Sequence, residues 1–335
     1  MRMLALPLLL FCTFAQAATL VVVNKGDNDV SLIDVDSGAT RARLPAGDGP
    51  HEVAMSPDGL WALVTTYGRA QPGTEVRLID VARAQVADTY SVAPHAWPHG
   101  IVWDGDKAWL TTENDGTAGS LVALDPADGR MLASIPTGQA LSHMVALHPD
   151  GRRAYVTNIA SDTVSVIDRV AGRVLMTVPS EHEPEGLAVS PDGRELWVAN
   201  QRSSTVTIFD TETMREVDRV TAPGRPIRIA FTPDGRRALV VTARNIDLLV
   251  FDAAQRRQLA RVQFDHEGAA GWTYGTAANA VGVLLSPDGR RAYVSLVSAR
   301  RVAEVDLTTY TVGRLLVTGR QPDGLGWSPV TLPAQ

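Results

Sequence analysis

The sequence predicts an all-β fold, a seven-bladed β-propeller, from three observations. A PDG turn recurs along the chain, mostly at intervals of 42 to 46 residues, a period typical of four-stranded propeller blades. A short apolar segment that ends in aspartate recurs seven times. The last repeat is divided between the two ends of the chain, so the ends can pair and close a ring. The turns begin at Pro57, Pro149, Pro191, Pro233 and Pro287, and the aspartates are Asp34, Asp80, Asp125, Asp168, Asp210, Asp252 and Asp306.

Each repeat contains four predicted strands in a fixed order, as residues 186–220 illustrate. The first strand, GLAVS (186–190), leads into the PDG turn, and the second, ELWVAN (195–200), follows it. The third, TVTIFD (205–210), ends in the recurring aspartate, and the fourth is REVDRV (215–220). Short length, β-branched residues and turn punctuation favour strands, and no helical period competes with them. The aspartate can accept hydrogen bonds from amides of the next turn, so we interpret its role as structural.

The seventh repeat uses segments from both ends of the chain. Its first strand is DGLGWSP (323–329), and its other three are TLVVVN (19–24), VSLID (30–34) and TRARL (40–44). Pairing of the terminal segments closes the ring and removes the exposed sheet edges that an open array would leave.

Residues 1–17 have the pattern of a secretory signal peptide. Arg2 precedes an apolar run at 4–15, and a small-x-small cleavage site ends at Ala17. The run is too short for a comfortable membrane span, so we predict no integral membrane segment in the mature chain. We expect residues 18–335 to form a single propeller domain in a periplasmic or secreted protein.

Composition narrows the classes of partner. Cys12 is the only cysteine and lies in the predicted signal peptide, so the stability of the mature chain must come from packing. The net charge of −6 argues against nucleic acid as a partner. We expect a monomer that binds a small molecule or an exported partner protein.

The second strands resemble a known repeat family. AYVTN (154–158), LWVAN (196–200) and AYVSL (292–296) each follow a PDGR turn and are similar to the YVTN-type seven-bladed β-propeller repeats of exported proteins. The resemblance covers essentially the whole mature chain and implies the propeller fold. It leaves the function open, because this family includes binding proteins, lactonases, lyases and redox proteins.

One position of the first strand is occupied by an ionisable residue in five of the seven repeats. It lies six residues before each turn proline, and we place it at the mouth of the central channel, which first strands line. An ungapped alignment of HGIVWDGDKAW with HEVAMSPDGLW supplies the residue of the blade that lacks PDG. Three histidines fall on consecutive blades, a glutamate follows, and an aspartate closes the ring. The seven residues are His51, His99, His143, Glu185, Ile227, Val281 and Asp323.

Loops on the same rim extend the predicted site. His95, His182 and His266 lie in loops that lead into first strands. The longest such loop, 265–279, contains Trp272 and Tyr274 and predicts a mobile flap that binds ligand over the channel. Second strands end in asparagines that we interpret as turn residues. They are Asn24, Asn114, Asn158 and Asn200.

These residue types allow three interpretations. Imidazoles with a carboxylate suit a first-row transition metal, and the predicted ligands are His51, His99, His143 and Glu185. Without a metal, a His–Glu or His–Asp pair can act as general acid and base. The histidines can also serve only packing and water binding at a crowded rim.

The sequence therefore predicts binding of a small ligand or partner protein at a histidine-rich channel mouth, through a transition metal or without one. One alternative is a lactonase- or lyase-like enzyme that uses the same rim. Another is a docking subunit for a redox partner that supplies its own cofactor. The predicted ligand-binding residues are His51, His99, His143, Glu185, Asp323, Trp272 and Tyr274.

Overall fold

Seven four-stranded antiparallel sheets form the fold in the computed structural model, which describes residues 18–114, 118–264 and 280–333. Each sheet is one blade, and the prediction of an all-β, seven-bladed β-propeller is confirmed. Besides strands, the described residues contain one short 3₁₀ helix, Ile159–Ser161. None of the helices in these ranges is long and apolar enough to cross a membrane.

The strands follow the chain from blade to blade. The chain begins with β1 (Thr19–Asn24), β2 (Asp29–Asp34) and β3 (Thr40–Pro45), which belong to blade 7. Blade 1 contains β4 (Pro50–Met55), β5 (Trp61–Gly68), β6 (Pro72–Asp80) and β7 (Gln85–Ser91). Blade 2 contains β8 (Pro98–Asp104), β9 (Lys107–Thr112), β10 (Ala118–Leu124) and β11 (Met131–Ala140). Blade 3 contains β12 (Ser142–Leu147), β13 (Arg153–Asn158), β14 (Thr163–Asp168) and β15 (Arg173–Pro179).

The remaining blades repeat this order. Blade 4 contains β16 (Pro184–Val189), β17 (Glu195–Asn200), β18 (Thr205–Asp210) and β19 (Glu216–Thr221). Blade 5 contains β20 (Pro226–Phe231), β21 (Arg237–Thr242), β22 (Asp247–Asp252) and β23 (Arg257–Gln263). Blade 6 contains β24 (Ala280–Leu285), β25 (Arg291–Leu296), β26 (Arg301–Asp306) and β27 (Thr311–Val317). The last strand of the chain, β28 (Pro322–Ser328), is the first strand of blade 7.

The ring is closed by the two ends of the chain, as predicted. Antiparallel pairing of β1 with β28 places Thr19 opposite Ser328 and Val22 opposite Leu325. Side-chain bonds reinforce the closure, since Thr19 Oγ1 donates to the carbonyl of Val330 at 2.7 Å. Blade 7 therefore has four paired strands like every other blade, although they come from both ends of the chain.

The hydrophobic core lies in layers between neighbouring blades. Leu63 of β5 and Leu110 of β9 are fully buried in one such layer. In another, the fully buried Trp197 packs edge-to-face against Phe231 of the next blade, with ring centroids 5.5 Å apart. Each Å² of apolar surface removed from water contributes about 25 cal/mol. These layers can therefore stabilise a chain that has no cysteine after residue 12.

We call the end of the propeller that carries the PDG turns the far rim, and the opposite end the channel mouth. On the far rim, each recurring aspartate accepts a hydrogen bond from an amide of the turn after its strand, which confirms its structural role. At the other end, Asn24, Asn158 and Asn200 are fully buried, and each amide group donates to two side chains at the start of the next strand. The grouping of Asn114 with them was wrong, because Thr112 holds that register in blade 2.

Candidate functional site

A bulge in every first strand lets two adjacent residues point towards the channel. In blade 1, His51 and Glu52 together stand opposite Thr65 of β5. The same one-residue shift in pairing occurs in the other six blades. Because a bulge breaks the alternation of a strand and re-aims its side chains, neighbouring residues can both contribute to one site.

Hydroxyl groups of the second strands fix the position of the next blade's channel residue. Thr65 Oγ1 in blade 1 donates to the carbonyl of His99 in blade 2 at 2.9 Å. The equivalent bonds join Thr111 to His143, Thr157 to Glu185, and Ser295 to Asp323. Four of the five ionisable residues predicted from the register are thereby held through their own backbone.

Close approach between first strands requires glycine next to some of these residues. A Cβ on Gly100 would lie 2.8 Å from the carbonyl oxygen of His143 in the next blade. In blades 1 and 5, the same position carries Glu52 and Arg228, whose side chains form an ion pair. Since blades 1 and 5 are not neighbours, this pair spans the channel.

Three stacked imidazoles form the centre of the site. The ring centroids of His51 and His99 are 4.1 Å apart, and those of His99 and His143 are 3.6 Å apart. Tyr67 borders this stack, with its ring edge-on to His51 at 5.4 Å and to His99 at 5.5 Å. His99 is only 1% exposed, so the middle imidazole is enclosed by other protein groups.

His51 lies between a cation and a carboxylate. Lys25 Nζ donates to His51 Nε2 at 2.6 Å, and His51 Nδ1 lies 3.2 Å from Asp323 Oδ2. Because Nε2 accepts a hydrogen bond, the ring proton is on Nδ1, where it faces the carboxylate. The lone pair of Nε2 is thereby directed towards Lys25, whereas Nδ1 has no hydrogen-bond partner among the described residues, although the Asp323 carboxylate is close to it.

His143 lies between two carboxylates. Its Nδ1 donates to Glu113 Oε1 at 3.0 Å, and its Nε2 lies 3.7 Å from Glu185 Oε1. Tyr67 donates from its hydroxyl to Glu113 Oε2 at 2.5 Å. Arg228 Nη1 donates to Glu185 Oε1 at 3.3 Å, so the chain of contacts continues across the channel to Glu52.

Burial and charge move the pKa values of His99 and His143 in opposite directions. Burial, with the charges of His143 and His51, holds the pKa of His99 well below its ordinary value, so its imidazole is neutral at neutral pH. Burial also lowers the pKa of His143, but hydrogen bonds to Glu113 and Glu185 and their charges raise it more. The site therefore places a neutral imidazole beside one that favours its charged form.

The buried carboxylates stay ionised because cations compensate for their desolvation. Burial raises the pKa of Glu52, but the charges and hydrogen bonds of Arg228 and His51 together lower it more, and the pKa falls to about 2. Burial likewise raises the pKa of Glu185, and His143 and Arg228 lower it more. Arg228 contacts both carboxylates and therefore offsets part of the cost of burying each of them.

The sequence-predicted residues are placed as follows. The structure brings His51, His99 and His143 together, with Asp323 beside the first and Glu185 beside the third. Other histidines of this end lie outside the cluster, since His95 bonds to Ser134 and His182 pairs with Asp162. Trp272 and Tyr274, with the predicted flap 265–279, lie outside the described residues.

Five functional groups were missed by sequence reasoning. Lys25, Tyr67 and Glu113 each come one residue after the second-strand residue that pairs with the first-strand proline, in blades 7, 1 and 2. Glu52 and Arg228 each follow the channel residue of a first strand. The same repeat alignment contained a usable signal, because this second-strand position carries ionisable groups on three consecutive blades beside the histidines.

Among the residues that the structure describes, two sets of side chains could hold a metal ion, and both include His99. One set is His51, Glu52 and His99, and the other is His99, Glu113 and His143, with ligand atoms within 4.8 Å of one another in each. Neither set contains His51 and His143 together, so the three imidazoles do not converge on one centre. His99 Nδ1 is buried and has no hydrogen-bond partner among the described residues, which fits a nitrogen intended for a ligand. Imidazole and carboxylate donors in this number suit zinc and related metals.

The protein is a seven-bladed β-propeller with a cluster of ionisable side chains at its channel mouth. Comparison with known families shows to which family this propeller belongs. The family model described as SMP-30/gluconolactonase/LRE-like region matches residues 22–245, which is more than half of the chain. The chain belongs to this family. The matched range includes every group of the cluster described above except Asp323.

Other comparisons bear on the fold alone. A chain of hydrazine synthase from Kuenenia stuttgartiensis is similar, with 19% sequence identity and a TM-score of 0.71. The similarity covers 86% of this chain and 92% of that chain. A search of curated proteins found no match. These comparisons support a β-propeller family, and the closer YVTN label stays a prediction.

Proposed function

We propose that the protein is a metal-dependent hydrolase that opens lactones or similar cyclic esters at the channel mouth. The observation that carries this proposal is the buried, unpartnered Nδ1 of His99 among imidazoles and carboxylates of neighbouring blades. Membership of a family whose description includes gluconolactonase supports the substrate class. Fold membership by itself would not be sufficient, because one fold supports many activities.

His99, His143 and Glu113 are the proposed metal ligands, and binding of the ion would displace the proton that the neighbouring carboxylates favour on His143. This set differs from the four ligands predicted from the sequence, since Glu113 takes the place of His51 and Glu185. A bound transition metal polarises a carbonyl group or makes its bound water more acidic. The Tyr67 hydroxyl, which donates to Glu113, fixes the orientation of that carboxylate and tunes its basicity.

His51 is the proposed general base. Its ring proton is on Nδ1, near the Asp323 carboxylate, so Nε2 has a lone pair that is now directed to Lys25. When a substrate takes the place of that contact, Nε2 can accept a proton from the attacking water. The water oxygen bonds to the lactone carbonyl carbon, the ring C–O bond breaks, and the ring oxygen leaves as an alcohol that receives the proton.

Metal content and lactone hydrolysis of two variants test the proposal. Protein loaded with Zn²⁺ or Co²⁺ and then dialysed is analysed for metal, and ring opening of five- and six-membered lactones is followed by acid release. We expect wild type and His95→Ala to retain stoichiometric metal and to hydrolyse lactone, and His99→Ala to lose both. His95 is a matched control because it belongs to the same end of the propeller but not to the cluster.

The possible results separate the parts of the proposal. If wild type and His99→Ala retain equal amounts of metal, the ligand assignment is wrong. If metal is bound at His99 and no lactone is opened, the hydrolase assignment is wrong and a binding protein or docking subunit remains. Thermal unfolding of each variant shows whether a loss of function reflects a loss of folding.

We also propose that residues 1–17 direct export and that the mature protein acts outside the cytoplasm as a monomer. The support is the charged start, apolar run and cleavage pattern of this segment. Mass spectrometry of the exported protein should give an N-terminus at Ala18. An intact chain confined to the cytoplasm would contradict this part.

A further inference from the structure

A groove lined by arginines lies at the channel-mouth end, between blades 4 and 5. Its volume is about 370 Å³. Residues from four separate loops line it, and the polar ones include Glu183, Gln201, Arg202, Arg225, Arg244 and Asn245. The groove is distinct from the histidine cluster, since none of these residues belongs to that cluster.

Backbone hydrogen bonds hold the walls of this groove. Ala243 N donates to the carbonyl of Arg225 at 2.9 Å, and Arg244 N donates to that of Gly224 at 2.8 Å. Asn245 Nδ2 donates to the carbonyl of Pro223 at 3.1 Å. Gly224 is needed here, because its φ is 103° and a Cβ would lie 2.4 Å from Asn245 Cγ. The groove is therefore a preformed feature, which favours binding.

The charges of this groove are not balanced. Within the described part of the chain, no carboxylate lies within 4.0 Å of the guanidinium of Arg225 or Arg244, and Arg202 has only a 3.9 Å contact with Glu183. By contrast, arginines such as Arg152 on the far rim form close ion pairs. Three cations and one carboxylate leave a surplus of positive charge, which an oxyanion can neutralise with charge-assisted hydrogen bonds.

We propose that this arginine groove binds the carboxylate or phosphate group of a small-molecule ligand whose reactive part lies at the histidine cluster. Arg225 directly precedes β20, which carries Arg228 into the channel. Three residues of extended strand span about 10 Å, so one ligand of moderate length can reach both sites. The second half of the proposal, which concerns the reactive part, rests on the proposed hydrolase function.

Anion binding is measured first, without reference to catalysis. Inorganic phosphate and citrate are titrated calorimetrically into wild type, Arg225→Gln/Arg244→Gln and the control Arg257→Gln. Arg257 is exposed in the same blade but at the start of its outer strand, away from the groove. Loss of two charged hydrogen-bonding groups should weaken binding by about 10-fold or more, while the control stays within about 2-fold of wild type. Equal binding by all three proteins would overturn the proposal.

Selectivity then tests the link to the reactive site. A pair of lactones that differ only by a carboxylate is compared in wild type and the double variant. We expect wild type to prefer the acidic lactone through a lower KM, and the double variant to lose that preference, so that its KM values for the two lactones become equal. Equal KM values for both lactones in wild type would overturn the link.

The two proposals fail in different ways. If the double variant loses phosphate binding but no lactone is opened by any protein, the groove is an anion site and the hydrolase proposal fails. If lactones are opened and neither phosphate nor citrate binds, the hydrolase proposal stands and the groove proposal fails.

Discussion

The channel mouth and the far rim are built from the same repeats, but histidines at the two ends have different kinds of partner. His148 on the far rim donates from Nε2 to the carbonyl of Gly193 at 2.8 Å and accepts at Nδ1 from the amide of Asp150 at 3.0 Å, and its side-chain neighbours, Asp150 and Arg153, belong to its own blade. His143 at the mouth has a carboxylate side chain from another blade near each ring nitrogen.

This difference distinguishes residues that stabilise the repeat itself from residues of separate blades that meet at a common site. Backbone partners, as for His148, satisfy groups that every blade must satisfy. Side-chain partners from different blades, as for His143, require particular residues at distant sequence positions and are not needed by the repeat itself. Ile227 and Val281 occupy the same register in other blades, so the fold does not demand a histidine there.

The largest effect on stability is expected from deleting β28, the strand that joins the C-terminal end of the chain to the N-terminal strand β1. Deletion of residues 323–335 removes most of β28, the partner of β1 and the first strand of blade 7. The ring should open, expose a sheet edge and lose stability or aggregate. Thermal unfolding and size-exclusion chromatography measure this, with deletion of 330–335 as a milder control. Equal melting of wild type and the longer deletion would show that closure does not stabilise the ring.

The next effect is expected from loss of the cation that spans the channel. Arg228→Met leaves Glu52 and Glu185 buried without their main compensating charge, at a cost of about 3–5 kcal/mol. On the far rim, Arg194→Met should cost about 0.5 kcal/mol or less, because its side chain is 85% exposed. Chemical denaturation of both variants gives the two values. If the two costs are similar, the mouth is no more dependent on cross-blade charge than the far rim.

Lowering the pH should destabilise the folded protein through protonation of Glu52 at the channel mouth. Its folded pKa of about 2 is below its ordinary value of 4.5, so its carboxylate stabilises the fold above that ordinary value. The contribution is lost as the pH falls through about 2. We expect Glu52→Gln to show a smaller loss of stability than wild type between these two pH values. The control Glu212→Gln, in an exposed far-rim turn, should follow the wild-type curve, and a Glu52→Gln curve parallel to wild type would contradict the assignment.

The fold was predictable because its determinants are local. Turn chemistry at each PDG, the alternation of short apolar strands and the terminal aspartates repeat within single blades. His51, His99, His143, Glu185 and Asp323 were also predictable, because one strand position points to the axis in every blade. The sequence repeats therefore predicted both the fold and the first-strand residues of the candidate site.

The rest of the site was hidden by two local irregularities. Strict alternation assigns Glu52 and Arg228 to the strand face opposite their neighbours, and the bulge that reverses this leaves no clear mark in the sequence. Placing Asn114 in the register of Asn158 shifted blade 2 by two residues and removed Glu113 from consideration. Cross-blade bonds such as that of Tyr67 with Glu113 depend on side-chain reach, which residue spacing does not give.

The smallest effect on stability is expected from removing one hydroxyl at each end of the propeller. Tyr67→Phe deletes the bond to Glu113 at the mouth, and Tyr90→Phe deletes a 2.8 Å bond to the carbonyl of Pro126 on the far rim. Each change should cost about 1 kcal/mol. Only Tyr67→Phe should weaken metal binding, by about 10-fold or more, because it frees a proposed ligand from its orienting partner. Competition with a chromophoric chelator measures the metal affinity. Equal affinities of the two variants would show that Tyr67 serves the fold, as Tyr90 does.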